Sequence, residues 1–436
     1  MDVDRKISEI LPKGMIERGE ITLDTLLGPI RDLLNRRQLP EDGFSDLQID
    51  LLFRLLSSMD TDKDPKAARV GEREARVASP YIGQLATGFN HGIGRSGHIA
   101  APQPKAPGAS LMQQIANKVA LDAIRKLGLP AVKDGMVLPI STGMTIALTL
   151  SAMRRKFGVN RILYPRIDHD SPTRAINLAG LEHIPIPTIL EEDAVRVDMT
   201  NLGKIMAKEE TFAVLATTTF FPPRESDPIK EIAQLCKEYN APLIVNNAYG
   251  VQSEEVMKSI RSAIDAGRID AVVQSSDKNF LTPVGGSVVV SPEEQTVEWI
   301  AESYAGRASA APIVQTLGAL LATGYKSYLE LRKEQRSNRA FLETRLTEIA
   351  VDVGQRVLSV VNPVACAITL DGLDAKEIGG RLYNLRITGP RAVAKGNPGS
   401  CIDNYPHSYL VMNAAIGASR DDVEEATTKL YKELRM

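Results

Sequence analysis

The chain is poor in cysteine, in net charge and in long apolar runs, and each shortage removes a class of protein. Cys236, Cys366 and Cys401 are the only cysteines; they are odd in number, far apart and without a C-x-x-C spacing, which fits thiols in a reducing compartment with structural or incidental roles. Lysine plus arginine total 52 against 54 acidic residues, a formal charge of -2. No global field therefore draws nucleic acid, and any RNA contact must come from local basic patches. No run approaches the roughly 18 apolar residues of a membrane span, and the opening MDVDRKISEILPKGMIERGE lacks the apolar core of a signal peptide. A soluble, cytoplasmic protein with no membrane partner is expected. What remains is ordinary globular composition, 43% hydrophobic and 24% charged over 436 residues, which excludes collagen-like, disordered and coiled-coil chains and has room for two or three domains.

Residues 1 to about 60 read as a helical extension for oligomerisation or RNA contact. Ile7, Ile10 and Leu11 recur at helical spacing, a second helix opens at Thr22, and a third is expected from Asp46. From Asp60 to about Gly108 a Gly- and Pro-rich stretch predicts a long structured loop, a place where function concentrates. Apolar β-rich runs then alternate with amphipathic helices. The strands expected are near Met136, Arg161, Ala213, Leu243, Ala271 and Gly286, with helices over 110–127, 144–157, 171–179, 227–239 and 254–266. That alternation predicts an α/β fold, a large and mostly parallel sheet with helices on both faces, over residues 61–310. Beyond Pro312 a long helix, interrupted near Gly324, leads into a smaller α+β domain at 311–436. Its expected strands are 357–361 and 365–369, and a last helix starts at Asp421.

Four short segments carry chemistry. Gly92-Ile-Gly94-Arg-Ser-Gly97 fits G-x-G-x-x-G, yet the flanks supply neither the preceding strand nor the following helix that a dinucleotide site needs. Its glycines instead let the backbone wrap an anion. With Arg95, Ser96, Gln103 and Lys105 they make 94–104 a phosphate-binding loop, the alternative being a solvated basic loop. Leu243-Ile-Val-Asn246-Asn247-Ala248-Tyr249-Gly250 is an apolar strand ending in amides, where ligands of open α/β sheets bind; a plain turn is the alternative. Past the strand at Ala271, Lys278 sits among small polar residues before Gly285-Gly286, where burial would make an amine a Schiff-base nucleophile. Ser141-Thr142-Gly143-Met144 opens a helix after a strand, and free amides at such an end hold a phosphate. Phosphate cup, strand-end amide and lysine together form a pyridoxal-phosphate site; no metal site is expected.

The segments GEREARV (71–77), HGIGRSGHI (91–99), QPKAPG (103–108), IVNNAYG (244–250), SSDKNFLTPVGG (275–286) and AGRASA (305–310) resemble, in order, the O-phosphoseryl-tRNA(Sec):selenocysteinyl-tRNA synthase family. The resemblance implies a fold type I enzyme dependent on pyridoxal 5'-phosphate, a homotetramer that converts O-phosphoseryl-tRNA(Sec) to selenocysteinyl-tRNA(Sec) with selenophosphate. It further implies that Lys278 bonds the cofactor, Asn246 faces its pyridine nitrogen, and Thr142, Gly143 and Met144 lie at its phosphate, with Ala248 beside it. His169 would cover the ring face, and Arg73 would lie near the cofactor. Arg95, Ser96, Gln103 and Arg307 match the ligands of the phosphoseryl phosphate, and Glu72 matches a carboxylate that repels free amino acids.

On that scheme Lys278, displaced by the substrate amine, removes the Cα proton; phosphate leaves Cβ and selenophosphate adds. Most fold type I enzymes carry Asp where this chain has Asn246, and a neutral amide suits rapid elimination better than transamination. Candidate RNA patches are Arg31, Arg36 and Arg37, the stretch Lys326–Arg339, and Lys429 to Arg435, with solvated helix faces as the alternative in each case. Rival functions are another fold type I enzyme, such as a decarboxylase or the phosphoseryl-tRNA:cysteinyl-tRNA synthase, and a non-catalytic tRNA-binding protein.

Overall fold

The computed structural model describes residues 10–435; of the helix expected on Ile7, Ile10 and Leu11, Ile7 lies outside them, and Ile10 and Leu11 form a turn and bend ahead of Pro12, not a helix. One continuous helix, α1 (Lys13–Arg36), runs through Thr22 where a separate start was expected. Ser45 and Gln48 form a reciprocal capping box that starts α2 (Asp46–Ser57). After the short α3 (Pro80–Gln84) comes α4 (Pro107–Lys126), with Pro at its first turn.

The α/β alternation opens as read with β1 (Asp134–Leu138), α5 (Thr142–Phe157), β2 (Arg161–Pro165) and α6 (Asp170–Leu178); β3 (Glu182–Ile186) and a β4–β5 hairpin (Thr188–Glu191, Ala194–Val197) follow, none of which the sequence announced. Next come α7 (Met199–Met206), β6 (Phe212–Thr217), α8 (Ile229–Glu238), β7 (Leu243–Asn246), α9 (Glu254–Ala266), β8 (Ala271–Ser275), α10 (Ser276–Phe280), β9 (Ser287–Ser291) and α11 (Glu294–Ala301). The seven-stranded sheet has the order β1-β9-β8-β7-β6-β2-β3, and only β9 pairs antiparallel with its neighbours. β6, β8 and β9 are buried along their whole length. Continuous apolar runs of this kind belong to a sheet covered on both faces. Six strands therefore present their carboxyl ends at one edge, and β1 and β2 leave that edge on opposite sides of β6–β9.

The long helix α12 (Ala311–Asp352) breaks at Gly324, whose φ of 64° is left-handed. Residues 40–44 stitch the break: the amides of Tyr325 and Lys326 donate to the carbonyls of Pro40 and Glu41, and the Phe44 amide donates to Leu321. A side chain at Gly324 would meet the Gly43 backbone at 2.7 Å, so the glycine is needed for this approach. The N-terminal helices share the large core, with Leu33, Leu52 and Leu56 in the same cluster as Leu317 and Tyr328, whereas Leu342 to Ala350 pack with the smaller core. That smaller unit holds β10 (Ala365–Thr369), α13 (Ala375–Asn384), β11 (Arg391–Val393), β12 (Tyr409–Asn413) and α14 (Arg420–Leu434), its sheet ordered β10-β12-β11. The strand expected at 357–361 does not form. Only Val357 bridges to Ile368, because the next amides are taken by carboxylates of the large domain, Ser359 by Asp193 and Val361 by Glu225.

Candidate active site

The buried β8 delivers Ser275 to the carboxyl edge of the sheet, and the single turn of α10 places Lys278 directly beyond it. The backbone there is locked. Asn279, fully buried, donates to the carbonyls of Ala248 and Ser275 at 2.8 Å and accepts from the Val251 amide, so the loops leaving β7 and β8 move as one piece. The Lys278 ammonium lies 3.2 Å from Asp277 Oδ2, 3.4 Å from Ser275 Oγ and 5.5 Å from the centre of the Tyr249 ring. Its side chain is 33% exposed, reachable yet held.

A cavity of about 180 Å³ opens here, and Thr142, Gly143, His169, Asn246, Ala248 and Lys278, which come from the ends of four strands, all line it. Four side-chain oxygens on its wall, Thr142 Oγ1, Thr217 Oγ1, Thr219 Oγ1 and Asn246 Oδ1, are buried without a hydrogen-bond partner. Buried polar groups rarely stay unmet, and a set of them round one cavity calls for a polar ligand. The helix end fits a phosphate: Ser141 caps α5, and a side chain on Gly143 would meet Ser171 Oγ at 2.2 Å, so only glycine leaves the first turn open. His169 accepts from the Ser171 amide through Nδ1 at 3.1 Å. Burial, helped by the nearby Arg391 charge, pushes its pKa down, so the ring is neutral and presents an aromatic face. The donor set and the apolar wall suit pyridoxal phosphate.

The second group of expected residues does not line this cavity. Glu72 and Arg73 lie exposed at the start of the 73–76 turn, and Arg95 and Ser96 at the exposed tip of the glycine loop. That tip is a tight turn in which Arg95 and His98 exchange both backbone hydrogen bonds at 3.0 Å; no strand precedes it. Ile93 pairs with Ala308, which sets Arg307 alongside the loop, and the Arg307 guanidinium donates to the His91 carbonyl. The Gln103 amide is held by Ser110 Oγ at 2.9 Å. Met144 contributes no side chain to the cavity and is 47% exposed.

A profile of the family described as O-phosphoseryl-tRNA(Sec) selenium transferase, SepSecS, matches residues 59–435. The O-phosphoseryl-tRNA(Sec) selenium transferase of Methanococcus maripaludis is 44% identical, with 99% of each chain covered. The chain belongs to the SepSecS family. A crystal structure of an archaeal O-phosphoseryl-tRNA(Sec) selenium transferase superimposes with a TM-score of 0.95 at 44% identity over 98% of each chain. A structure of Oryza sativa TDC with PLP and tryptamine shares only the fold, with a TM-score of 0.60 at 13% identity over 98% of this chain and 99% of that one. The architecture is the fold type I of pyridoxal-phosphate enzymes, and this SepSecS chain is an enzyme of the transferase kind.

Sequence reasoning missed part of the SepSecS cavity. Thr217, Thr219, Phe220 and Phe221 line it from the carboxyl end of β6, Ser171 and Tyr249 complete the wall, and Val364 and Asn413 enter from the smaller domain. The strand-end position of Thr217 was a usable signal; nothing local marked Val364 or Asn413. The three thiols are buried, and burial pushes Cys366 and Cys401 up to about 12 and Cys236 higher still, which leaves them unreactive. The basic patches are largely spoken for: Lys326 pairs with Asp42, Arg336 with Glu254, Arg339 with Glu343 and Lys429 with Glu425. Arg332 is buried, donating to the carbonyls of Leu127 and Val251. Among the described residues, no group of three or more His, Cys, Asp or Glu is placed to hold a metal, and no helix is long and apolar enough to cross a membrane.

Proposed function

We propose that this chain converts O-phosphoseryl-tRNA(Sec) to selenocysteinyl-tRNA(Sec) with selenophosphate as donor, in the cytoplasm, and that Lys278 carries the reaction. The supporting observation is the ring of four unpartnered buried oxygens around a cavity that Lys278 enters. Pyridoxal phosphate supplies an aldehyde for the amine and a ring that takes up the electron pair left at the substrate's α-carbon. Lys278 Nζ would hold the cofactor through that aldehyde, and as a free amine it would take the proton from the substrate's α-carbon. Asp277 Oδ2 and Ser275 Oγ hold Nζ beside the reacting centre throughout. Asn246, His169 and Ala248 would hold the cofactor ring, and Thr142 with Gly143 and Met144 would hold its phosphate, with Arg73 near by.

Arg95, Ser96, Gln103 and Arg307 bind the phosphoseryl phosphate and draw it off Cβ; Glu72 turns away free amino acids, whose α-carboxylate an ester-linked substrate lacks. These side chains do not line the cavity of their own chain. A homotetramer in which the loop of one copy faces the Lys278 cavity of another brings them together, and it uses the exposed apolar side chains Leu55, Met59, Tyr81, Ile82 and Leu85. The working division is 1–60 for the helical extension, 61–310 for the cofactor domain and 311–436 for the smaller domain, with the helical extension and the first half of α12, to Tyr328, packed on the core of the cofactor domain. Phosphoseryl-tRNA(Sec) should react with selenophosphate at least tenfold faster than seryl-tRNA(Sec), since charge-assisted contacts are worth about 1.5 to 3 kcal/mol each. Equal rates for the two esters, or a preference for a sulfur donor, would refute the assignment.

A further inference from the structure

The glycine loop is closed at its base by three residues that touch neither cavity nor tip. His91 is 3% exposed, and its Nε2 lies 3.4 Å from Thr61 Oγ1 and 3.9 Å from Asp62 Oδ1. The Thr61 hydroxyl donates to the Lys105 carbonyl at 2.9 Å, so towards His91 that oxygen can only accept. Burial, the largest influence, pushes the pKa of His91 down, so the imidazole is neutral with its proton on Nε2. One directed chain, imidazole N–H to hydroxyl and hydroxyl to carbonyl, joins the first residue of the loop to the last. Asp62 stands behind it, its side chain 4% exposed, bonded through Oδ2 to Lys63 at 2.7 Å and to Asn90 at 3.3 Å. Lys63 in turn donates to the Gly88 carbonyl at 2.7 Å. His91 also offers the carbonyl that the Arg307 guanidinium grips.

We propose that Thr61, His91 and Asp62 form a clasp across the base of the 91–105 loop and are positioning residues for Arg95, Ser96, Gln103 and Arg307. This rests on the phosphate role given to those four groups. A loop rich in left-handed glycines, with Gly92, Gly94 and Gly97 at φ of 69°, 69° and 83°, has no helix or sheet ladder of its own to fix it. The clasp takes that part together with the Ile93–Ala308 pair, the Thr61 amide on the Lys105 carbonyl and the Ile99 amide on the Ala301 carbonyl. Preorganising charged ligands before the anion arrives lowers the ordering cost at binding.

The test uses the full-length, cofactor-loaded enzyme and the variants Thr61→Val, which is isosteric without the hydroxyl, Thr61→Ser, which keeps it, and His91→Gln. Hydrogen exchange of amides 93–103 in the absence of any anion reads the clasp itself; KM for phosphoseryl-tRNA(Sec) and competition by inorganic phosphate read its effect on binding. Thr61→Val is expected to speed exchange in the loop and to raise KM and the phosphate inhibition constant together by about tenfold, the equivalent of one hydrogen bond. The visible absorption of the bound cofactor should stay unchanged and any fall in kcat should be smaller than the rise in KM, while Thr61→Ser and His91→Gln should stay close to the wild type. Unchanged exchange and KM in Thr61→Val overturns the clasp, as does an equal fall in kcat and cofactor content in both Thr61 variants, which marks a general folding defect. If inorganic phosphate fails to compete even in the wild type while loop exchange still rises in Thr61→Val, the phosphate role fails, and the positioning role with it.

Discussion

Replacing Asn246 by leucine separates what the amide does for the fold from what it does for the cofactor. Asn246 closes β7, where its backbone pairs with Thr217 and Val273, and its Oδ1 is buried without a partner. An unmet buried oxygen costs about 1 to 3 kcal/mol. In the cofactor-free protein, leucine removes that cost and keeps most of the volume, so urea unfolding of the apoprotein should show equal or greater stability, by up to about 1 kcal/mol. On the proposed arrangement the loaded variant would lose a hydrogen bond between a neutral amide and the pyridine nitrogen, worth about 0.5 to 1.5 kcal/mol, so the cofactor dissociation constant, titrated by visible absorption, should rise about twofold to tenfold. A variant whose apoprotein loses as much stability as its cofactor affinity loses would show the amide to be a structural strut, and the argument would fail. Asn246→Asp should bind the cofactor at least as tightly while gaining a transamination side reaction, seen as build-up of the cofactor's amine form.

Other consequences can be checked separately. Glu72→Gln should improve inhibition by free O-phosphoserine about fivefold to tenfold, the scale of one partly screened charge repulsion, with KM for the tRNA ester unchanged. Asp60, 2% exposed and accepting from the Ala109 amide at 3.1 Å, has its carboxyl raised from 3.8 to about 6, chiefly by burial. The folded protein therefore keeps a proton that the unfolded chain has released between these values, and stability falls as pH rises through that window. Asp60→Asn should match the wild type near pH 4 and melt several degrees higher above pH 6; identical pH profiles would contradict the assignment. Because all three thiols are buried, native enzyme should resist iodoacetamide with activity intact, and rapid alkylation with inactivation would favour a cysteine-based sulfur-transfer enzyme.

Much of the cofactor site could be read from the chain because each part is a local event at a strand end. An apolar run followed by Asn246-Asn247-Ala248-Tyr249, or by Ser275-Ser276-Asp277-Lys278, carries its place in the sheet and its chemistry in one window. What escaped was long-range. Asn413 reaches the cavity from β12 and Val364 from the turn before β10, and neither bears a local mark. The break at Gly324 was visible, but not that residues 40–44 would satisfy its freed backbone groups. The run 357–361 has strand composition, yet Asp193 and Glu225 take its amides; a propensity cannot see a competing acceptor more than 100 positions away. The tight glycine turn at 92–97 was recognisable by its glycines, whereas the hydrogen bond that Thr61 makes to the Lys105 carbonyl was not, since threonine there has no distinctive signature.

Reduction of the purified enzyme with borohydride, followed by peptide mass analysis, probes the attachment of the cofactor most directly. The expected result is a reduced pyridoxyl phosphate adduct on the peptide containing Lys278, absent in Lys278→Ala, which should also lack the yellow colour and all turnover. An adduct on a different lysine, or full activity in Lys278→Ala, would contradict it.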